Sequence, residues 1–283
     1  MRRGIVGLVG FLLAGCSMVL SAENRQCGAD ADCAPLGSGL FCDDGMCRSH
    51  GGNDGGVDAG DPAWSCVGQV EWPQGVAPAT FSFRAEDFSK APITPSSVRA
   101  CNRLDVTCAN PVTTDFDTFE GVSTVLVPGG FDGFFEVEVP DKLPSLLYVS
   151  RPITEDIEYG AITCLAESDM ALIAGIAQAN PPSPERGHVF LLSLDCQLEW
   201  ASGVEFRVDA TEEDTESFYT RSGLPSSAAL NTDQDATGGY INLPPGIRTF
   251  EALRTETGVV HATVSAVVRQ QSITYIDVPP TPE

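Results

Sequence analysis

The sequence predicts an all-β protein in which two tandem antiparallel β-sandwich domains follow a small disulfide-rich module and a flexible linker. Apolar and polar residues alternate with a period of two over most of the chain, as where Phe135, Val137 and Val139 enclose Glu136 and Glu138. This alternation is typical of strands that bury one face and expose the other, and therefore of antiparallel sheets. Turns rich in proline, glycine and aspartate separate these runs, and one stretch of the chain is repeated.

The repeat relates residues 121–137 to residues 239–252. Each copy holds a strand pattern, a turn with proline and glycine, and a second strand pattern. Each copy also follows an acidic loop, at residues 115–117 and at residues 233–235. Self-similarity at this spacing indicates two copies of one structural unit.

We therefore predict a first sandwich over residues 64–167 and a second over residues 168–283. A short helix is predicted at their junction, over residues 167–178. The Asn-Pro-Pro sequence that follows, with Pro181 and Pro182, is expected to end this helix and to mark the domain boundary.

The N-terminus has the composition of a secretory signal peptide. Arg2 and Arg3 precede an apolar run over residues 4–14, which is too short to span a bilayer as a helix. The run ends in the sequence Leu13-Ala14-Gly15-Cys16, which resembles the lipobox of bacterial lipoproteins. The alternative is a plain signal peptide that ends in a cysteine by coincidence.

The lipobox resemblance implies that residues 1–15 are removed and that Cys16 becomes an acylated N-terminus. Ser17 in the following position implies sorting to the outer membrane of a Gram-negative cell envelope, facing the periplasm or the cell surface. The resemblance therefore implies that the protein associates with the membrane through this lipid. Residues 16–26 are expected to form a polar tether, and the Gly- and Asp-rich residues 49–63 a flexible linker.

Between these connectors, residues 27–48 form a cysteine-rich module with the spacing Cys27-x5-Cys33-x8-Cys42-x4-Cys47. A segment this short cannot bury a core of its own, so crosslinks are needed to hold it. We predict two disulfides, and the sequence leaves all three pairings open. Zinc is the alternative, but the spacing lacks the Cys-x2-Cys pairs that zinc sites favour. The module resembles the small cysteine-rich modules, similar to half an EGF domain, of bacterial surface lipoproteins.

The turn signals of the repeat carry a second resemblance. Thr232 and Asp233 lead to Gly239, followed by Leu243-Pro244-Pro245-Gly246, and Asp115 leads to Gly121, followed by Val127-Pro128-Gly129. This layout resembles the carboxypeptidase regulatory-like domain, which implies a transthyretin-like (prealbumin-like) sandwich without catalytic residues.

The remaining cysteines are expected to pair in an oxidising compartment. Cys101 and Cys108 are close enough in sequence to form a disulfide across a strand end and a loop. Cys66 and Cys164 enclose the first sandwich, so we predict that they pair, which leaves Cys196 free.

A search for catalytic patterns finds no nucleophile elbow, zinc-protease helix, phosphate-binding loop or dinucleotide fingerprint. His188 and His261 fall on predicted strands, where we expect structural roles. Asp233, Asp235 and Thr237 resemble half a calcium loop, but its twelfth position is Pro244, which excludes an EF-hand. A looser calcium site is the alternative to a hairpin turn, which Asp and Gly also favour.

The net charge of −23 argues against nucleic acid as a partner, because phosphate backbones are repelled. We therefore expect a non-enzymatic, lipid-anchored cell-surface protein without cofactor or metal, whose sandwiches bind a glycan or a surface protein or act as spacers. The alternative is a carbohydrate-binding or hydrolase-accessory protein, and a hydrolase is a third hypothesis. Trp64, Trp72 and Trp200 are interpreted as caps of the core, with a sugar-stacking platform as the alternative.

Overall fold

The computed structural model describes residues 40–43, 46–49 and 61–282. The chain divides into two compact units, Met1–Gly55 and Gly56–Glu283, and the division lies inside the predicted linker. In the first unit, β1 (Leu40–Asp43) and β2 (Met46–Ser49) form an antiparallel pair in which Cys42 lies opposite Cys47 in the backbone register. Cys16, Cys27 and Cys33 lie outside the described residues, as do the side chains of Cys42 and Cys47, so the predicted lipid site and the disulfides of the module stay predictions.

The second unit contains sixteen described strands, one helix and a short 3₁₀ turn at Pro62–Trp64. The helix is α1 (Glu167–Ala177). The strands are β3 (Ala79–Glu86), β4 (Pro92–Ile93), β5 (Ser97–Asn102), β6 (Phe116–Phe119), β7 (Val122–Val127), β8 (Gly133–Glu138), β9 (Ser145–Tyr148), β10 (Ile157–Thr163), β11 (Gly187–Ser193), β12 (Val204–Val208), β13 (Glu216–Arg221), β14 (Leu224–Ser226), β15 (Thr237–Leu243), β16 (Gly246–Arg254), β17 (Val260–Val268) and β18 (Ile273–Val278).

These strands form three sheets. A five-stranded sheet has the order β10-β3-β7-β6, with β4 also paired to β3. An eight-stranded sheet has the order β14-β13-β15-β11-β18-β9-β8-β5, and a three-stranded sheet has the order β12-β16-β17. Most pairs are antiparallel, but β3 with β10, and β18 with both β9 and β11, pair in parallel. The predicted all-β class is confirmed.

The eight-stranded sheet is the central layer, and each of its faces is covered. On one face, Phe135 and Leu147 pack against the five-stranded sheet through Phe81 and Val125. The helix covers the rest of that face. On the opposite face, residues such as Leu191 and Ile276 pack against the three-stranded sheet through Phe250 and Val264. The two sandwiches therefore share one sheet.

The last strand, β18, joins the two halves of this sheet. It lies between β9, which precedes the predicted domain boundary, and β11, which follows it. Because both faces of the sheet are covered here, β9 and β18 are buried on both sides and lose the alternation of a half-exposed strand.

Glu136 on β8 differs from the sequence-based expectation for the same reason. The alternation predicts that it faces solvent, but its exposed fraction is only 4%. Arg99 lies 2.8 Å from one carboxylate oxygen of Glu136 and Arg269 lies 3.0 Å from the other, so the buried charge has two cationic partners. Such pairing offsets the cost of removing a carboxylate from water.

The helix forms where the sequence predicts it. The N-cap residue Ala166 donates its N–H to the Asp169 carboxylate at 2.8 Å, and the C-cap residue Gln178 ends the helix in the left-handed conformation with φ 60°. Met170, Ile173, Ala174 and Ala177 form its buried side. With eleven residues, this helix is too short to cross a bilayer, and no described helix is a candidate membrane span.

The disulfides confirm one prediction and correct another. Cys101 and Cys108 are bonded, as their spacing predicts. The predicted Cys66–Cys164 bond is wrong, because Cys66 bonds to Cys196 and Cys164 is a buried free thiol. Cys164 belongs to the core beneath the five-stranded sheet, whereas Trp64 and Val67, on either side of Cys66, pack into the core beneath the three-stranded sheet. The segment before β3 thus joins the second sandwich, although it precedes the first in sequence.

Candidate functional site

The strongest candidate site is an acidic cavity where the chain enters the second compact unit. Its volume is about 290 Å³, and it lies between the Pro62–Trp64 turn, the turn after β11 and the turn between β16 and β17. We name it the tryptophan site, since Trp64 and Trp200 both line it. Its lining includes three acidic residues, Asp61, Asp195 and Glu256, and one basic residue, Arg254.

Trp64 forms the fixed part of the tryptophan site. It is 7% exposed, its ring centroid lies 4.5 Å from that of His261, and the Arg254 guanidinium carbon lies 5.1 Å from its centroid. The Asp61 carboxylate accepts the Ala63 N–H at 3.0 Å, and the Cys196 N–H donates to the Ala63 carbonyl at 2.8 Å. Together with the Cys66–Cys196 disulfide, these contacts hold the turn in place.

Trp200 forms the open part of the tryptophan site, with 66% of its surface exposed. Its turn is shaped by Asp195, one of whose carboxylate oxygens accepts the N–H groups of Gln197 at 2.8 Å and Glu199 at 3.0 Å. An exposed indole beside carboxylates and the hydroxyls of Ser202 and Thr255 offers both a stacking face and hydrogen-bond partners. This is the chemistry that a sugar ring requires.

The three tryptophans do not form one platform. Trp64 caps the core, as expected, whereas Trp200 is exposed at the rim of the same cavity. Trp72 lines a different cavity, beside Arg103 and Asp132. Sequence spacing gave no sign that Trp64 and Trp200 meet, because the Cys66–Cys196 bond that brings them together spans 130 residues.

Both described histidines are buried in the strands where the sequence places them. His188 is 2% exposed and His261 is 3% exposed. Neither imidazole contacts a carboxylate or a serine hydroxyl among residues 61–282, and the two nitrogens of His261 have no hydrogen-bond partner there. Burial lowers the pKa of each to about 4, and the positive charge of Arg254 adds to the effect at His261.

We expect these histidines to make the fold sensitive to acid. A pKa near 4 in the folded state and 6.5 in the unfolded state means that the unfolded chain binds more protons between these values. Stability then falls as the pH drops through this window. Between pH 7 and pH 4.5, wild type should lose about 2.5 kcal/mol more than His261→Phe. Denaturant titrations at both pH values measure the difference. Equal losses in the two proteins would contradict the depressed pKa of His261.

The carboxylates of Asp233 and Asp235 accept hydrogen bonds from backbone N–H groups. Asp233 accepts the Asp235 N–H at 2.9 Å and lies 3.7 Å from Arg221, while Asp235 accepts the Gly223 N–H at 2.6 Å. Both carboxylates thus stabilise turns next to β15 and β14. The hairpin interpretation accounts for these contacts.

We predict that millimolar calcium leaves the thermal unfolding midpoint unchanged in wild type and in Asp235→Asn. The asparagine retains an oxygen that accepts the Gly223 N–H, so the variant should lose less than about 1 kcal/mol. Unfolding with calcium and with a chelator checks this. A calcium-dependent rise in wild type that disappears in the variant would identify a metal site instead.

The burial of two acidic residues was not predicted from the sequence. One is Glu136, which lies near Cys101 and Cys108, but those sulfurs are bonded to each other and are not free to bind a metal. The other is Asp277 on β18, which is 6% exposed and accepts a hydrogen bond from the Tyr159 hydroxyl at 2.7 Å. Burial raises the pKa of Asp277 to about 7. In the sequence, the burial of Asp277 is indicated by its position inside the apolar run that forms β18.

No protein-family model matches the chain, and no curated protein is similar to it in sequence. Among solved structures, a streptococcal ancillary pilin is 13% identical, covering 72% of this chain and 68% of the pilin, with a TM-score of 0.24. The shaft pilin SpaA of Lactobacillus rhamnosus GG is 10% identical, covering 72% of this chain and 98% of SpaA, with a TM-score of 0.23. The Bacillus anthracis TIE protein is 10% identical, covering 72% and 34%, with a TM-score of 0.22. These similarities are too distant to carry a function over to this chain.

Proposed function

We propose that the chain is a non-enzymatic, lipid-anchored cell-surface protein whose joined sandwiches serve as a rigid binding or spacer unit. The observation that carries the proposal is the lipobox-like sequence ending at Cys16, since it supplies the anchor. The resemblance further implies an outer-membrane location, and the transthyretin-like origin of the sandwiches stays a prediction.

The connection between the anchor and the sandwiches supports this role. A load that reaches residue 66 from the N-terminal side passes through the Cys66–Cys196 disulfide to the end of β11, near the middle of the eight-stranded sheet. Attachment must come from lipid, because a net charge of −23 repels anionic headgroups. Each buried methylene contributes about 0.8 kcal/mol, so two or more acyl chains hold a protein stably.

Cell fractionation of Cys16→Ser tests the proposal. We expect wild type in the membrane fraction and the variant either released or retained as an unprocessed precursor. Cys164→Ala is the matched control, since it also removes one cysteine but leaves the lipobox intact. If Cys16→Ser stays in the membrane fraction as a processed chain, the lipid anchor is wrong. Digestion of intact cells by an added protease then reports whether the sandwiches face outward.

Carbohydrate binding is the second candidate function, and the exposed indole of Trp200 at the acidic tryptophan site favours it. A glycan array probed with the chain from Ser17 onward should give hits that Trp200→Ala weakens at least tenfold. Leu230→Ala, which removes an exposed apolar side chain that does not line the tryptophan site, should leave them unchanged. Hits that survive Trp200→Ala would place sugar binding outside the tryptophan site.

A further inference from the structure

The tryptophan site contains three acidic side chains without cationic partners. Asp61, Asp195 and Glu256 form no salt bridge with any other residue in the described part of the second compact unit. Arg254 also lines the site, but it is only 7% exposed and its guanidinium carbon lies over the Trp64 ring. The open part of the site is therefore negative, and it favours a ligand that brings a positive charge.

The same carboxylates keep oxygens that can receive a donor. One oxygen of Asp61 accepts the Ala63 N–H, and one oxygen of Asp195 accepts two N–H groups of its own turn. The second oxygen of each, and both oxygens of Glu256, accept no hydrogen bond from the residues that the structure describes. An ammonium group offers three donors and no acceptor, so it matches these oxygens.

The spacing of the carboxylates indicates an organic cation rather than a metal ion. The described residues contain one set of three potential metal ligands whose atoms all lie within 4.8 Å of one another, and it lies elsewhere, at the Cys101–Cys108 disulfide. The three carboxylates of the tryptophan site do not meet this distance. They border a space of about 290 Å³ and do not converge on one point, as the ligands of a metal ion must.

Trp200 supplies the surface on which such a ligand would lie. Its backbone pairs with Leu194 in an isolated bridge and its indole is 66% exposed, so the ring is presented from a fixed backbone. The face of an indole attracts a cation, and its apolar area also stacks on the C–H face of a sugar ring. Ser202 and Thr255 add hydroxyls, which suit the hydroxyl groups of a sugar.

We propose that the tryptophan site binds an amino sugar, with the sugar ring on the Trp200 indole and its ammonium group among the three carboxylates. The inference rests on the carbohydrate binding proposed above and names the class of sugar. A neutral sugar would fill the same space without meeting the charge, and an acidic sugar would be repelled.

The test uses the chain from Ser17 onward with ¹⁵N-labelled tryptophan side chains. The chain has three tryptophans, and the indole signal that is missing from Trp200→Ala is that of Trp200. The first ligand is methyl β-D-glucosaminide, titrated at about pH 6.5, where an amine of this kind carries its proton. The second is methyl β-D-glucoside, in which a hydroxyl replaces the ammonium. The third is cyclohexylammonium, which has the charge without the hydroxyls.

We expect the glucosaminide to shift the Trp200 signal saturably, with an affinity at least about tenfold above that of either other ligand. Glu256→Gln removes one charge and should weaken the glucosaminide about fivefold, while the glucoside stays within about twofold of its wild-type affinity. Glu213→Gln, at an exposed position outside the site, is the matched control and should change neither. About 0.5 M sodium chloride should reduce the preference for the glucosaminide, since exposed charges are screened.

The outcomes separate the amino sugar from carbohydrate binding itself. Equal affinities for the glucosaminide and the glucoside would overturn the amino sugar and leave sugar binding at the tryptophan site standing. Cyclohexylammonium that binds as tightly as the glucosaminide, or a Trp200 signal that no ligand shifts, would contradict both. A preference for the glucosaminide that survives Glu256→Gln unchanged would place the ammonium away from the carboxylates and would also overturn the proposal.

Discussion

Removal of the Cys66–Cys196 disulfide by Cys66→Ala with Cys196→Ala should lower the free energy of unfolding by about 5 kcal/mol. The bond closes a sequence separation of 130 residues, so the unfolded chain without it gains a large conformational entropy. The variant also frees the Pro62–Trp64 turn, and Trp64 should become more exposed. Guanidinium titrations followed by tryptophan fluorescence measure both effects.

The Cys101–Cys108 bond is the internal control. Its sequence separation is only 7 residues, and its removal should therefore cost about half as much, roughly 2.5 kcal/mol in the same entropy treatment. A loss below about 1 kcal/mol for the longer crosslink would show that packing alone holds the segment before β3. Our explanation of how a load passes from the anchor to the eight-stranded sheet would then fail.

Asp277→Asn should stabilise the protein at neutral and alkaline pH. The folded-state pKa of Asp277 is raised to about 7 by burial, against an ordinary value near 4, so the folded state binds the extra proton between these values. The stability that this proton confers is present below pH 4 and is lost as the pH rises through 7. Asparagine is uncharged throughout and keeps an acceptor for the Tyr159 hydroxyl.

The advantage of Asp277→Asn over wild type should thus grow by on the order of 4 kcal/mol between pH 4 and pH 8. Asp209→Asn, at an exposed position, should differ little from wild type at either pH. Unfolding free energies of the three proteins at both pH values decide the matter. A constant difference between Asp277→Asn and wild type would mean that the Asp277 carboxyl is ionised in the fold at neutral pH.

Local patterns were sufficient to predict the helix and several of the strands. The alternation of Phe81 and Phe83 with polar neighbours matches the buried face of β3, and the prolines after residue 180 mark the end of α1. Strand partners were not predictable, since alternation along β18 says nothing about which strands lie beside it. Asp277 is buried on β18, which lies between β9 and β11, and Glu136 is buried on β8 beside Arg99 and Arg269, so neither burial follows from the local alternation of the sequence.

The candidate sites were less predictable than the fold. Trp64 and Trp200 line the same cavity because the segment before β3 packs against the second sandwich through Trp64 and Val67. No local sequence motif encodes this packing. His188 was expected to be structural, and its Nδ1 contact with Asn242 agrees with that role.

The central claim, that the chain is a lipid-anchored surface protein, is tested most directly by the mass of the N-terminal peptide of protein extracted from membranes. The account predicts a peptide that begins at Cys16 and carries the added mass of a diacylglyceryl group and an N-acyl chain. A peptide that begins at Cys16 without added mass, or one that still contains Leu13-Ala14-Gly15 before it, would contradict the claim.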